Sequence, residues 1–187
     1  MKKNNTYFLL SLVFALLVSV STFGQSYTAK KITIPGSTMD NVYEIDNNVY
    51  RSEQPTAADF KAMQKFGIHE VLNLRNRHSD VNEAKGTKII LYRVKMKAHH
   101  VTYEKIIEAL RIIKNRKGPI VFHCHHGSDR TGVLCAMYRI VFQNIPKEEA
   151  IREMKEGGFG FHRIYSNLTR LIQNADVEYI RQEVFAK

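Results

Sequence analysis

The chain has 187 residues, enough for one domain and too few for two of ordinary size. Apolar residues make up 44% and charged residues 25%, which excludes collagen-like, low-complexity and wholly disordered chains. Two cysteines exclude a disulfide scaffold and a four-thiolate zinc site, while a formal charge of +10 favours anionic partners without choosing among them.

In chain order, the first feature is an export signature. Lys2 and Lys3 are followed by an almost purely apolar run from Phe8 to Val20, then by small or polar residues through Gly24 and Gln25. A basic start, an apolar core and a small-residue exit make a secretory signal. The apolar core is shorter than the roughly 20 residues that span a bilayer. Residues 1–24 are therefore read as a cleaved signal peptide, and the mature protein as exported, periplasmic or secreted, with no stable membrane span. Residues 25–40 are mixed and polar and are read as a flexible leader; residues 41–187 form a single domain.

Val42 to Ile45 and Asn48 to Arg51 are predicted strands, with Asp46-Asn47 as the turn between them. Pro55-Thr56 opens a helix through Phe60, Met63 and Phe66, which Gly67 stops. His69 to Leu74 alternates as a strand, Arg75 to Gly86 is a polar connection, and Lys88 to Met96 is another strand. Val101 to Lys117 has the spacing of an amphipathic helix, ended by Gly118-Pro119. Ile120-Val121-Phe122 is a short buried strand, and Val133 to Phe142 is an apolar helix. Pro146 opens a further helix, stopped by Gly157-Gly158, and two more follow near 163–173 and 176–185. Alternating strands and helices predict an α/β fold with a central, mostly parallel sheet flanked by helices, the helix-rich C-terminal third on one face.

The chemistry sits where the buried strand meets the apolar helix, in His123-Cys124-His125-His126-Gly127-Ser128-Asp129-Arg130-Thr131-Gly132. This run resembles the HCxxGxxRT signature of the cysteine-dependent protein tyrosine phosphatase superfamily. The order of elements from about 42 to 185 resembles its small dual-specificity branch, and Tyr50-Arg51-Ser52-Glu53-Gln54-Pro55 resembles a segment of its atypical bacterial, plant and fungal members. The resemblance implies the three-layer fold of that superfamily and hydrolysis of phosphate monoesters.

The residues carry the same reading by themselves. A strand-to-helix bend with a glycine can turn successive backbone N–H groups inward, making an anion cradle at the positive end of the following helix. Arg130 offers a planar fork of donors for two phosphate oxygens. Helix N-termini and nearby cations lower a thiol pKa from about 8.5 to roughly 3.5–7.5, so Cys124 is expected as a thiolate nucleophile that forms a phosphocysteine. Backbone amides of His125, His126, Gly127, Ser128, Asp129 and Arg130 complete the cradle. Thr131 is placed to hydrogen-bond the sulfur as it leaves, His123 to orient the loop from behind, and His125 and His126 to flank the mouth.

The leaving oxygen needs a proton. In the superfamily this resemblance implies an Asp on a loop about 30 residues before the Cys, but here that region reads Lys95-Met96-Lys97-Ala98-His99-His100, with no carboxylate. Asp129 is the first substitute, because a similar Asp-Arg pair occurs in myotubularin-type and some bacterial phosphatases. Asp80 is the second, on a polar loop that could swing over the pocket, and His99 or His100 the third. The plain alternatives are a helix cap for Asp129 and a turn for Asp80. No metal is expected, because the consecutive residues His123, Cys124, His125 and His126 cannot all reach one tetrahedral ion. No cofactor is expected either. Cys135 reads as a core residue, with a redox partnership to Cys124 as the alternative. Arg51, Ser52 and Gln54 either support the loop or merely follow a strand.

The substrates expected are phosphotyrosine, with phosphoserine and phosphothreonine, in proteins or small phosphoesters. Ser128 stands where lipid-active relatives often carry lysine, which tilts the reading away from phosphoinositides and inositol phosphates, the alternative substrates. A phosphate-binding module without turnover and a rhodanese-like sulfur transferase are the competing classes. Scattered lysines and the lack of a recognisable motif argue against nucleic acid, and a monomer is expected.

Overall fold

A computed structural model describes residues 28–186; the signal-peptide reading of residues 1–24 falls outside them. Among the described residues six strands form one sheet: β1 (Lys30–Lys31), β2 (Tyr43–Asp46), β3 (Val49–Ser52), β4 (Glu70–Arg75), β5 (Ile90–Met96) and β6 (Ile120–His123). Their order is β1-β2-β3-β6-β4-β5. The β1, β2 and β3 pairings are antiparallel, whereas β6 runs parallel to both β3 and β4, and β4 parallel to β5. The expected mostly parallel sheet is thus present at its centre, with an antiparallel edge.

Among the described residues six helices flank the sheet: α1 (Ala57–Phe66), α2 (Tyr103–Lys114), α3 (Asp129–Gln143), α4 (Lys147–Glu156), α5 (Ser166–Gln173) and α6 (Val177–Phe185). Alternation along the strands feeds two cores. Ile120 and Phe122 of β6 face α2 to α6, as do Leu72 and Leu74 of β4. Val121 and Val71 face α1 on the other side. The C-terminal helices therefore share one face, as predicted. α3 is apolar almost all round because it lies in the middle of that layer, with Val133, Leu134 and Met137 fully buried.

α1 shows why a local signal can fix an element. Thr56 takes an extended backbone and its hydroxyl accepts from the Asp59 N–H at 3.3 Å, while Asp59 accepts from the Thr56 N–H at 2.8 Å. Gly67 ends the helix at φ 103°.

Three expectations need correction. The turn between β2 and β3 is Asn47-Asn48, with Asn48 at φ 62°, one residue later than predicted. Helix α3 starts at Asp129, not Val133, so Arg130 and Thr131 lie in its first turn. From residue 28 onward the expected leader is part of the domain. Lys30–Lys31 pairs with β2, Ile34 is buried, and Ser37 Oγ and the Thr38 N–H donate to Asp59 at 2.7 and 2.8 Å. Its order comes from pairing with distant residues, which composition does not display.

Candidate active site

β6 is an inner strand of the parallel set, flanked in register by Ser52 of β3 and Asn73 of β4 at His123. Its carboxyl end is where open α/β sheets place their ligands. Cys124 follows it and is 2% exposed. Residues 124 to 128 then bend into α3.

The bend is held from outside. The carbonyl of His125 accepts from the Gln54 N–H at 3.1 Å. That of His126 accepts from Asn41 Nδ2 at 2.8 Å, and that of Gly127 from Arg51 Nη2 at 2.6 Å. Three successive carbonyls are thus tied to the outside of the bend. Among the described residues no hydrogen bond claims the amides of residues 125 to 130. This is the arrangement of an anion cradle: oxygens turned out, N–H groups left for a ligand. Gly127 sits at φ 73°, and a Cβ there would lie 2.8 Å from Ser52 C and from Glu53 N. Only glycine lets the bend rest on the chain leaving β3.

Arg51 is fully buried, with its guanidinium 3.7 Å above the Phe159 ring. Of the two readings of Arg51 and Gln54, loop support is the one the hydrogen bonds bear out. Arg130 is partly exposed, its Nε buried and without a partner, and the hydroxyl of Thr131 is likewise buried and unpartnered. Ser128 Oγ donates to the Phe159 carbonyl at 2.7 Å, which ties the bend to the segment after α4. His123 is completely buried; Nδ1 donates to the Cys124 carbonyl at 3.0 Å, and Nε2 lies 2.9 Å from Asp80 Oδ2.

Asp80 therefore does not overhang the pocket. It is 4% exposed, and its other oxygen accepts from Gln54 Nε2 at 2.8 Å. Burial pushes its pKa up, but the hydrogen bond and charge of His123, with bonds from Gln54 and Asn73, outweigh burial and hold it below the ordinary carboxylate value. A group held ionised is a poor proton donor. Asp80 instead continues a chain of contacts, Arg75 Nη1 to Gln54 Oε1 at 2.9 Å, Gln54 to Asp80, Asp80 to His123, that ends at the nucleophile's own backbone.

Asp129 is 7% exposed and does not cap its helix. Its oxygens meet His162: the backbone N–H donates to Oδ1 at 3.0 Å, and ring Nδ1 lies 3.1 and 2.9 Å from Oδ1 and Oδ2. His162 gave no local signal in the sequence. It stands 33 residues away, and only the docking of the 157–165 segment brings it here.

A cleft of about 590 Å³ opens beside the bend, lined by Arg75, Asn76, Arg77, Met96, Lys97, His99, His125 and Arg130. It contains no carboxylate. Arg75 and Arg77 were missed by the sequence reading, although the carboxyl end of β4, next to β6, was a place to look. Burial, then the like charge of Arg130, lowers the Arg75 pKa, opposed by Asp80, Cys124 and Glu83. Burial, followed by the charges of His126, Arg75, Arg130 and His78, lowers the pKa of His125. His99 lines the cleft; His100 does not.

Among the described residues two clusters bring three metal-ligating atoms within 4.8 Å: His78, Asp80 and Glu83, and His126, Asp129 and His162. In the second, His162 Nδ1 is hydrogen-bonded to Asp129 at 2.9 Å; in the first, His78 Nε2 lies 3.2 Å from Glu83 Oε1 without a hydrogen bond. Both cysteines are free thiols, and burial raises the pKa of Cys135 within α3.

Comparison with known proteins matches this arrangement. The family model of the dual specificity phosphatase catalytic domain matches residues 49–175. The chain belongs to the dual specificity phosphatase family. The dual specificity protein phosphatase TpbA of Pseudomonas aeruginosa is 30% identical over 143 residues, which cover 75% of this chain and 65% of the relative. The aligned stretch thus spans just under two thirds of the curated relatives it matches. The crystal structure of P. aeruginosa TpbA superposes with TM-score 0.75 at 28% identity, covering 86% of this chain and 98% of that one. A TpbA variant in complex with phosphotyrosine gives 0.76 at 26%, covering 87% and 99%. The core catalytic domain of the PP-IP phosphatase SIW14 from S. cerevisiae gives 0.67 at 26%, covering 76% and 89%. These likenesses and the strand order agree with the three-layer α/β fold expected of a dual specificity phosphatase.

Proposed function

We propose that the protein hydrolyses phosphate monoesters, phosphotyrosine first and phosphoserine or phosphothreonine besides, through a phosphocysteine. The observation that carries this is the bend after β6, where the carbonyls of residues 125 to 127 are held outward behind Cys124 and the amides are unclaimed. A phosphate seated there has its oxygens on the amides and on Arg130, and its phosphorus above the sulfur. Cys124 attacks as thiolate, the P–S bond forms and the P–O bond breaks; Asp129 gives its proton to the leaving oxygen. Water then cleaves the P–S bond, with Thr131 stabilising the departing sulfur. The phosphotyrosine complex of a TpbA variant supports this substrate class. Turnover of p-nitrophenyl phosphate by the wild type, its loss in Cys124→Ser, and mass-spectrometric trapping of a phosphorylated Cys124 test it. Equal rates for the two proteins would reject the nucleophile.

A second reading draws on the cleft. Arg75, Arg77, Lys97 and Arg130 around a wall without carboxylates suit a substrate with several phosphates, and SIW14 is a PP-IP phosphatase. Pyrophosphorylated inositols assayed beside phosphopeptides decide between the two readings. For location, the basic start and apolar run of residues 1–24 support an exported enzyme, periplasmic or secreted; a monomer is the assembly proposed. A mature N-terminus near residue 25 in the exported fraction, and a single-chain mass in solution, are the checks.

A further inference from the structure

We infer that Asp129 does not work alone: His162 shares its proton and connects it to solvent, so the general acid of the reaction is the Asp129–His162 pair. This rests on the phosphatase reading above.

The geometry is specific. One ring nitrogen, Nδ1, lies within hydrogen-bond distance of both carboxylate oxygens, at 2.9 and 3.1 Å. A single proton between these atoms can reside on either partner. Asp129 is almost completely buried beside Arg130, whereas the His162 side chain is 49% exposed. Its Nε2 has no hydrogen-bond partner among the described residues. The pair therefore joins a group next to the phosphate cradle to bulk water. Its other close neighbours are aromatic: His126 at 5.5 Å and Tyr165 at 6.4 Å between ring centroids, with His125 beyond His126 at 4.4 Å.

The proton balance closes. As the P–O bond breaks, the pair gives one proton to the leaving oxygen and is left with one fewer. As water attacks the phosphocysteine, the pair takes one proton from it, and sulfur leaves as thiolate. The pair thus ends the cycle with the proton it began with, and the half-exposed His162 ring lets that proton equilibrate with solvent between turnovers. This also accounts for the sequence 95–100, which supplies no carboxylate.

A purely structural role for His162 makes a different prediction. The loop that carries it is anchored without the imidazole, through its own backbone N–H to Asp129 at 3.0 Å, Ser128 Oγ to the Phe159 carbonyl, and Asn41 Nδ2 to the same carbonyl at 3.1 Å. Asparagine at 162 keeps an N–H donor near the position of Nδ1 but cannot carry a proton.

The experiment measures kcat/KM for aryl phosphates whose leaving phenols run from strongly to weakly acidic, with p-nitrophenyl and phenyl phosphate as the ends. General acids matter little for a good leaving group and contribute about 10²–10⁴-fold for a poor one. In Asp129→Asn, His162→Ala and His162→Asn alike, the ratio of p-nitrophenyl to phenyl phosphate turnover should rise at least about tenfold over wild type. The double variant Asp129→Asn with His162→Ala should lose little beyond the single ones. Full rescue of phenyl phosphate turnover in His162→Asn would reduce the imidazole to a tether and overturn the inference. So would an unchanged ratio in His162→Ala, or loss of wild-type turnover on chelation, which would make the three side chains a metal site. Thermal melting of each variant separates misfolding from chemistry. If the wild type turns over neither substrate, the phosphatase reading has failed instead, and that outcome is read from the same plate.

Discussion

Replacing Gly127 by alanine tests the cradle most directly. Two costs arise. The residue holds φ 73°, where a side chain costs roughly 1–2 kcal/mol. The new Cβ would also sit 2.8 to 2.9 Å from three backbone atoms of Ser52 and Glu53, none of which can swing aside. Relief needs the bend to retreat by about half an ångström, taking with it the Gly127 carbonyl that Arg51 holds at 2.6 Å and the neighbouring His125 carbonyl that Gln54 holds. Gly158 supplies the control: it has φ 82°, and a Cβ there would meet nothing within 4 Å, so Gly158→Ala carries only the conformational cost. We expect Gly127→Ala to lose about 2–4 kcal/mol in urea denaturation and Gly158→Ala about 1–2. Because displacement of a catalytic frame by about an ångström can cost 10²-fold, kcat/KM of Gly127→Ala for p-nitrophenyl phosphate should fall at least about 30-fold, and that of Gly158→Ala less than about threefold. Matching stabilities and rates in the two variants would refute the close-approach argument.

Other outcomes follow from the same contacts. Arg51→Met removes a buried cation over an aromatic face and the bond to the bend, and should cost about 2–4 kcal/mol by urea denaturation with a loss of turnover, since the Gly127 carbonyl is left unpaired. Arg75→Ala should raise KM for phosphomonoesters about tenfold with kcat nearly unchanged in steady-state kinetics, the signature of lost uniform binding. Burial opposes ionisation of Asp59, but bonds from Thr56, Thr38 and Ser37 outweigh it and lower the pKa. A depressed folded-state pKa supplies stability that is complete above the unfolded value of about 3.9 and is lost as pH falls through the folded one. Melting temperature should therefore drop below about pH 4, and Asp59→Asn should melt lower at neutral pH with a shallower acid limb; an unchanged acid limb would remove Asp59 from the account.

Local signals were legible where chemistry is local. Thr56 and Gly67 bracket α1 because a cap and a left-handed stop act within four residues of themselves. The bend from Cys124 to Arg130 was readable because strand, glycine and helix are contiguous. What escaped was set by distance along the chain. Asp80 looked like a mobile loop acid because its partner His123 is 43 residues away, and Asp129 looked solitary for the same reason. The start of α3 was misplaced because its first turn, Asp129, Arg130 and Thr131, is polar while the run from Val133 to Met137 is apolar; polarity in that first turn reflects the site and the His162 contact rather than a loop. Arg75 and Arg77 read as part of a charged connection until the sheet set them beside Arg130.

The clamp on the three carbonyls has a consequence for where the enzyme begins. Its donors come from one contiguous stretch, Asn41, Arg51 and Gln54, yet Asn41 precedes residue 49, where the family match starts. A fragment trimmed to that boundary would retain sulfur and guanidinium while losing one of the three pins that keep the amides free. The working catalytic unit is longer at its amino end than the recognisable signature, and activity mapped by truncation should fade before the motif itself is reached.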